Sequence, residues 1–333
     1  MVHDRDGAGP CRPCPVRFAY SPVRELVASL LVLQDPDRQP VHSRWLSSTR
    51  RQLGGLQLEL LTALAPIGRY LPSFLMPPPI GPWGVLAEEL AAVAATPSAV
   101  VRAELDIVCD GRPLPGVLRP LYEDPTGQLP AVVAAMRRYW EATIEPVWPR
   151  LRAVCTADLV HRMEQFADGG LTRVLADLHP QVALEGDRLH VDKPHHCSHR
   201  FDLSGAGIVL LPCAFIWPMV MVECCAVDQP TVTYPTRGVA QLWQEPSEEH
   251  TDPLSALVGR TRAALLAILG LPMTTTQLAA QLGLSPPAVS QHLKVLRDTG
   301  LVSARRRGRM VLYQRTPAGT TLLKAVRSHQ ETG

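Results

Sequence analysis

From residue 21 to about 170 the apolar positions recur every three or four residues, the spacing of helices that bury one face. Ser21 and Pro22 stand as N-cap and first-turn residue of a segment carrying Leu26, Leu30 and Leu33, which Pro36 and Pro40 close. A second helix is expected over 43–65, with Leu56, Leu60 and Leu64 on one face. The prolines of PIGRYLPSFLMPPPIGPWG then deny any long helix. Helical spacing resumes over 84–95, 100–106, 129–144 and 148–170. From about 187 to 240 the pattern changes: RLHV, IVLLPCAFIW, MVMVECC and PTVTYPT are rich in Val, Ile and aromatics, separated by turn residues. This predicts a small antiparallel sheet closing a mainly helical body. QLWQEPSEEHTDP, residues 241–253, is polar, acidic and proline-containing, and reads as a linker.

Beyond it the elements shorten. SALVGRTRAALLAILG predicts one helix with Leu257, Ala264, Leu265, Ile268 and Leu269 on its buried face, stopped by Gly270 and Pro272. Thr274 to Thr276 cap a short helix whose Leu278, Ala279 and Leu282 face inward before Gly283. Ser285 caps the next, with Pro286 in its first turn and Val289, Leu293 and Leu296 as its buried stripe. Two short helices across a glycine-containing turn make a helix-turn-helix. LVSARRR and RMVLYQRT then read as two strands joined at Gly308, anchored by Leu301, Val302, Val311 and Tyr313. A hairpin tipped with arginines beside a helix-turn-helix is a wing.

The charge distribution sharpens the picture. The net charge of +2 over 333 residues divides into 11 Lys/Arg against 3 Asp/Glu from Thr251 onward, and 22 against 28 before it. A basic terminal module on a mildly acidic body suits a polyanion partner, here double-stranded DNA. The polar face of the second helix offers Ser285, Pro287, Ser290, Gln291, His292 and Lys294. Gln and Lys hydrogen-bond to base edges in the major groove, Ser to a base or a phosphate, and Pro287 supplies apolar contact. Arg305, Arg306, Arg307 and Arg309 suit phosphates and the narrow minor groove.

Ser285 to Val302, SPPAVSQHLKVLRDTGLV, matches the Ser-x-x-x-Val-Ser-x-His-Leu-x-x-Leu pattern of the ArsR-like bacterial repressors, and the tail from about Asp252 to Ala325 resembles their winged-helix domain. The order of segments before it is similar to that of an actinobacterial group of such regulators with a long N-terminal region. The resemblance implies a homodimer, with the helix before the helix-turn-helix and TPAGTTLLKAVRSHQ after the wing contributing to the contact. It departs at the family's metal sites: TQLAAQLGLS carries no Cys-x-Cys, and the last helix offers only His329 and Glu331.

For the body, HVDKPHHCSHR places His190, Asp192, His195, His196, Cys197 and His199 together, with Cys224 and Cys225 on a following strand. These are zinc-type donors, but the spacing fits no common zinc module, and a polar loop between strands is the expectation. Cys11 and Cys14 form a CxxC in a loose terminus. An organic effector would occupy an apolar pocket that Trp83, Tyr139, Trp140, Trp148, Phe215 and Trp217 can line. Glu141 and Glu145 can pair as carboxylates. GxSxG, HExxH and GxGxxG are absent, so no catalytic role and no cofactor are expected. The first thirty residues lack the basic start and compact apolar core of a signal peptide, and no apolar run reaches eighteen residues, so a cytoplasmic, nucleoid-associated protein without membrane contact is expected.

The sequence thus predicts an α+β chain. Its parts are a flexible start (1–15), a sensor or dimerisation domain (16–240), a linker (241–253) and a winged helix-turn-helix (254–328). The function expected is ligand-responsive repression through specific DNA binding; the alternative is ligand-independent DNA binding with a body that recruits a protein.

Overall fold

The computed structural model describes residues 16–36, 39–56, 58–186, 188–191, 199–203, 207–223, 230–243, 253–270, 272–282, 284–307 and 310–330. The body begins with strand β1 (Val16–Phe18) and continues through helices α1 (Pro22–Gln34), α2 (Ser43–Thr49), α3 (Leu58–Leu64), α4 (Leu86–Ala94), α5 (Ser98–Cys109), α6 (Arg119–Glu123), α7 (Pro125–Thr143) and α8 (Trp148–Leu175). Six strands follow: β2 (Val182–Glu185), β3 (Arg188–Val191), β4 (His199–Asp202), β5 (Ile208–Cys213), β6 (Met221–Glu223) and β7 (Thr231–Pro235). The C-terminal unit comprises α9 (Pro253–Val258), α10 (Arg260–Ile268), β8 (Met273–Thr274), α11 (Thr275–Leu282), α12 (Pro286–Asp298), β9 (Val302–Arg307), β10 (Met310–Arg315) and α13 (Pro317–Gln330).

Local chemistry sets the helix starts. The Ser21 hydroxyl accepts from the Arg24 amide at 3.1 Å, with Pro22 in the first turn where its missing N–H leaves nothing unbonded. Asp124 and Pro125 repeat the device at α7, the Asp124 carboxylate accepting from Gly127 N at 3.0 Å. The helix expected over 43–65 is instead α2 and α3, because Gly54 and Gly55 intervene and Gly55 adopts φ +80°, outside helical space. α8 turns at Gly169 and Gly170 for the same reason, Gly170 lying at φ +64°.

A small antiparallel sheet is present as β2-β3-β4, but of the segments expected in it only RLHV, as β3, belongs there; the three that follow form β5, β6 and β7 of another sheet. A second sheet of order β1-β5-β7-β6 is mixed: β1 and β5, and β5 and β7, pair in parallel, while β6 runs antiparallel to β7. Parallel strands are covered on both faces, which accounts for the unbroken apolar run of β5, buried at every position. α1 and α8 pack against it. Ile208, Leu210, Val232 and Tyr234 join Val174 and Leu175 in one core layer.

The expected aromatic pocket is not formed. Tyr139, Trp140, Phe215 and Trp217 are buried in the core, and Trp148 stacks edge-on against Trp140 at 5.1 Å. Trp83 packs on Tyr20 at 5.6 Å. Glu145 falls beyond the end of α7, in the 3-10 turn Glu145–Val147, so it does not share a helix with Glu141; both are exposed. No described helix is long and apolar enough to cross a membrane.

Candidate nucleic-acid interface

The C-terminal unit is held by a compact apolar centre. Leu265, Leu266 and Ile268 of α10 and Leu269 at its C-cap meet Leu278 of α11 and Val289, Leu293 and Leu296 of α12, all buried. Leu257 departs from the expected stripe and is 67% exposed. The cause is Gly259, at φ +84°, which breaks the predicted helix into α9 and α10 and turns α9 away.

α11 starts with a capping box. The Thr274 amide donates to Gln277 Oε1 at 2.8 Å, and the Gln277 amide donates to Thr274 Oγ1 at 3.2 Å. Ser285 caps α12 as its sequence predicts, its hydroxyl accepting from Ala288 N at 3.4 Å. With Val289, Leu293 and Leu296 turned inward, the opposite face is fixed. Pro287, Ser290, Gln291 and Lys294 stand at i, i+3, i+4 and i+7, form one row, and are all exposed. Ser285 is exposed at the head of that row, whereas His292 is half-buried on its flank. Arg297 extends the row by a further turn and is exposed, its guanidinium 3.5 Å from Asp298 Oδ1. Arg297 is a candidate that the sequence analysis misses, although its spacing from Ser290 and Lys294 is the signal.

β9 and β10 pair antiparallel from Val302↔Arg315 to Arg307↔Met310, the expected hairpin. Arg305 and Arg306 are both exposed on β9. Strand pleating sends them to opposite faces of the hairpin: Arg305 lies over Leu312, Arg306 over Val311. Arg307 ends β9; Arg309 and Gly308 lie outside the described residues. Arg315, by contrast, is a structural arginine. It donates to the Leu266 carbonyl at 2.8 Å and to Thr320 Oγ1 at 3.2 Å, tying the wing to α10 and α13.

The metal candidates do not assemble among the described residues, where no group of three His, Cys, Asp or Glu side chains is arranged for an ion. His190 lies on β3 with Nε2 3.2 Å from Glu185. The backbone of His199 pairs with Val191. Asp192, His195, His196, Cys197, Cys224 and Cys225 lie outside the described residues, as do Cys11 and Cys14.

The geometry is thus a basic and amide-bearing helix face next to an arginine-bearing hairpin. Residues 262–304, from α10 into β9, match the family described as bacterial regulatory protein, arsR family. The chain carries an ArsR-family helix-turn-helix domain. Over 70 residues it is 43% identical to the HTH-type transcriptional regulator Rv2034 of Mycobacterium tuberculosis, a match covering 21% of this chain and 65% of that protein. The chain therefore spans just under two thirds of the length of this relative. Ahead of the ArsR-family domain, residues 115–240 match a family of unknown function, DUF5937. Two variants of Lactococcus lactis ZitR align at 30% and 25% identity, covering 22% and 27% of this chain and 52% and 60% of theirs. Their TM-scores are 0.20 and 0.21, too low to bear on the fold.

The ArsR-family domain packs directly on the body. The 3-10 turn Pro40–His42 lies against α10, and the turn Val239–Gln241 against α11. Trp243, inside the stretch read as linker, is buried and donates its indole N–H to His42 Nδ1 at 3.0 Å. Arg44 donates to the Trp243 carbonyl at 3.2 Å. Burial lowers the His42 pKa from 6.5 to about 3, so the ring is neutral and Nδ1 stays free to accept this bond.

Proposed function

We propose that this protein is a sequence-specific, double-stranded-DNA-binding transcription regulator that acts as a homodimer, and that its body makes it a ligand-responsive repressor. The row Pro287, Ser290, Gln291 and Lys294 on the exposed face of α12, within a segment matching the ArsR family, carries this reading. In it, Gln291 and Lys294 read base edges in the major groove, Pro287 contributes apolar contact, and Ser285 and Ser290 bond a base or phosphate. Arg305, Arg306, Arg307 and Arg309 hold the backbone or enter the minor groove, and Arg297 adds a phosphate contact. Dimerisation through α9 and α13 would place two copies of α12 one DNA turn apart; the exposed Leu257 on α9 supports that contact. The reading is regulatory rather than catalytic.

A second reading is favoured by a separate observation. Val160, Met163 and Phe166 leave an apolar row 46%, 44% and 38% exposed on α8, as a surface for a protein partner would. In that case the body recruits rather than senses, and operator affinity is indifferent to small molecules.

The experiment is selection of fragments from the organism's own DNA by the purified chain, then titration of the best fragment at two salt concentrations. A two-fold-symmetric site bound tightly and salt-sensitively is the expected result; weak binding indifferent to sequence would overturn it. Gln291→Ala should narrow the gap between operator and random duplex, and Arg307→Ala should weaken binding to both and lower the salt slope by about one.

A further inference from the structure

Between α3, α6 and α7 the body carries a groove of about 300 Å³ that is open to solvent on one side. Its walls are aliphatic, with Leu56, Leu60, Val117 and Leu121 among them, and two polar side chains reach it, Glu59 and Gln128. Glu59 is exposed at the rim, while Gln128 is half-buried. A volume at the lower end of small-molecule sites can bury one ring or a short alkyl chain. No lysine or arginine is among its described lining residues. A carboxylate ligand would meet Glu59 without a counter-charge, whereas an ammonium group would find the carboxylate and the Gln128 amide oxygen.

Two of its walls, α7 and α3, also lead to the ArsR-family domain. α7 carries Gln128, Ala131 and Val132 at the groove, and its last carbonyl, Thr143 O, accepts the Trp45 indole N–H at 2.9 Å. Trp45 stacks on Phe215 at 4.5 Å, and Phe215 on His42 at 4.6 Å. Trp45 lies in α2, which continues directly from the turn Pro40–His42 that packs on α10. α3, the opposite wall, follows α2 across Gly54 and Gly55. A ligand that wedges α3 from α7 therefore acts on both ends of the segment that seats the ArsR-family domain.

We propose that this groove binds a small apolar primary amine, with the apolar part between α3 and α7 and the ammonium at Glu59 and Gln128, and that its occupancy changes operator affinity. The binding half stands without DNA; the regulatory half rests on the DNA-binding reading above.

The test titrates 4-phenylbutylamine, 4-phenylbutanol and 4-phenylbutyrate into the full chain by calorimetry without DNA. Saturable binding of the amine, about tenfold tighter than the other two, is the expected result. Ala131→Phe, which puts a ring into the groove, should abolish binding while the thermal transition stays cooperative. Glu59→Gln, at an exposed position, should bring amine and alcohol within about threefold of each other. Absence of saturable binding, tighter binding of the carboxylate, or a Glu59→Gln protein that keeps the full amine preference would overturn the site. Saturating amine should then shift the operator Kd by about fivefold or more. An unchanged Kd in a chain that binds both amine and operator overturns the coupling alone, and failure to bind any operator overturns the DNA reading while leaving the site standing.

Discussion

Glu25, in the first turn of α1, is buried and accepts from the backbone amides of Ala214 at 2.7 Å and Phe215 at 3.0 Å. The thiols of Cys155 and Cys213 donate to the same carboxyl group. A charge-bearing residue at an apolar helix position is thereby satisfied by a chain segment nearly two hundred residues away, while burial pushes its pKa up. Glu25→Ala strands two buried amides and should cost about 2–5 kcal/mol in urea unfolding. Glu89 poses a different case. Its carboxylate accepts from the Ser21 hydroxyl at 2.7 Å and the Val23 amide at 3.0 Å, over the bare backbone of Gly84, where a side chain would collide with it. Burial raises its pKa from 4.5 to about 7. The folded chain then binds this proton more readily than the unfolded one between pH 7 and 4.5. The cost of burying the carboxylate is felt above pH 7 and relieved as pH falls through that window, by at most about 1.4 kcal/mol per pH unit. His42 and His179, depressed by burial to about 3 and about 4, act in the opposite direction below pH 6.5, where the unfolded chain takes protons that the folded one refuses. Unfolding curves of wild type and Glu89→Gln at pH 8 and pH 5 isolate the first effect. The stability difference should move in favour of wild type by about 1–3 kcal/mol on acidification; a constant difference would refute it.

At the scale of elements, the break between α9 and α10 turns on one residue. In a continuous helix, Gly259→Ala would stabilise by up to about 1 kcal/mol. At φ +84°, with the Arg262 guanidinium 3.3 Å from the position of a new Cβ, the same change should instead destabilise by about 1–3 kcal/mol. The sign of the shift in Tm separates the two. The wing offers a second test. An arginine cluster in a sequence suggests interchangeable charges, but pleating divides Arg305 from Arg306. Arg305→Ala and Arg306→Ala should therefore weaken operator binding unequally, the one whose face lies nearer the phosphates lowering the salt slope more. Equal losses in titrations at two salt concentrations would place both side chains on the backbone.

Across the whole molecule, one continuous hydrophobic cluster runs from α1 and α7 through Phe215 and Trp243 into Leu265, Leu278 and Leu293 of the ArsR-family domain. Body and ArsR-family domain share a core. Trp243 is the residue where this can be cut, since its ring packs on Phe215 at 5.9 Å and its N–H on His42. Trp243→Ala should cost about 3–5 kcal/mol and split a single calorimetric transition into two. Persistence of one transition would show that the turns Pro40–His42 and Val239–Gln241 hold the domains together unaided.

What the sequence determined was local. Ser285-Pro286 and Thr274 with Gln277 specify helix starts through side-chain to backbone bonds a few residues long. The stripe Val289, Leu293 and Leu296 fixes which face of α12 is turned outward, so helical spacing alone is enough to single out the candidate readers Ser290, Gln291 and Lys294. The matching of Ser285 to Val302 to the family pattern rests on the same short-range regularities. What only the tertiary structure decided depends on contacts far apart in the chain. β1 became a strand because β5, nearly two hundred residues later, pairs with it in parallel, and three residues carry no periodicity to announce that. The polar stretch read as a linker contains a buried tryptophan because His42 and Phe215 supply its surroundings. Gly259 appears as a helix interior in one dimension and as a joint in three. Tyr139, Trp140, Phe215 and Trp217, which promised a pocket, filled the core, and a groove opened among aliphatics at the meeting of α3, α6 and α7. Hydrogen bonding within a turn of helix is written in adjacent residues, whereas the filling of space between elements is set by the volumes and directions of side chains that the sequence keeps far apart.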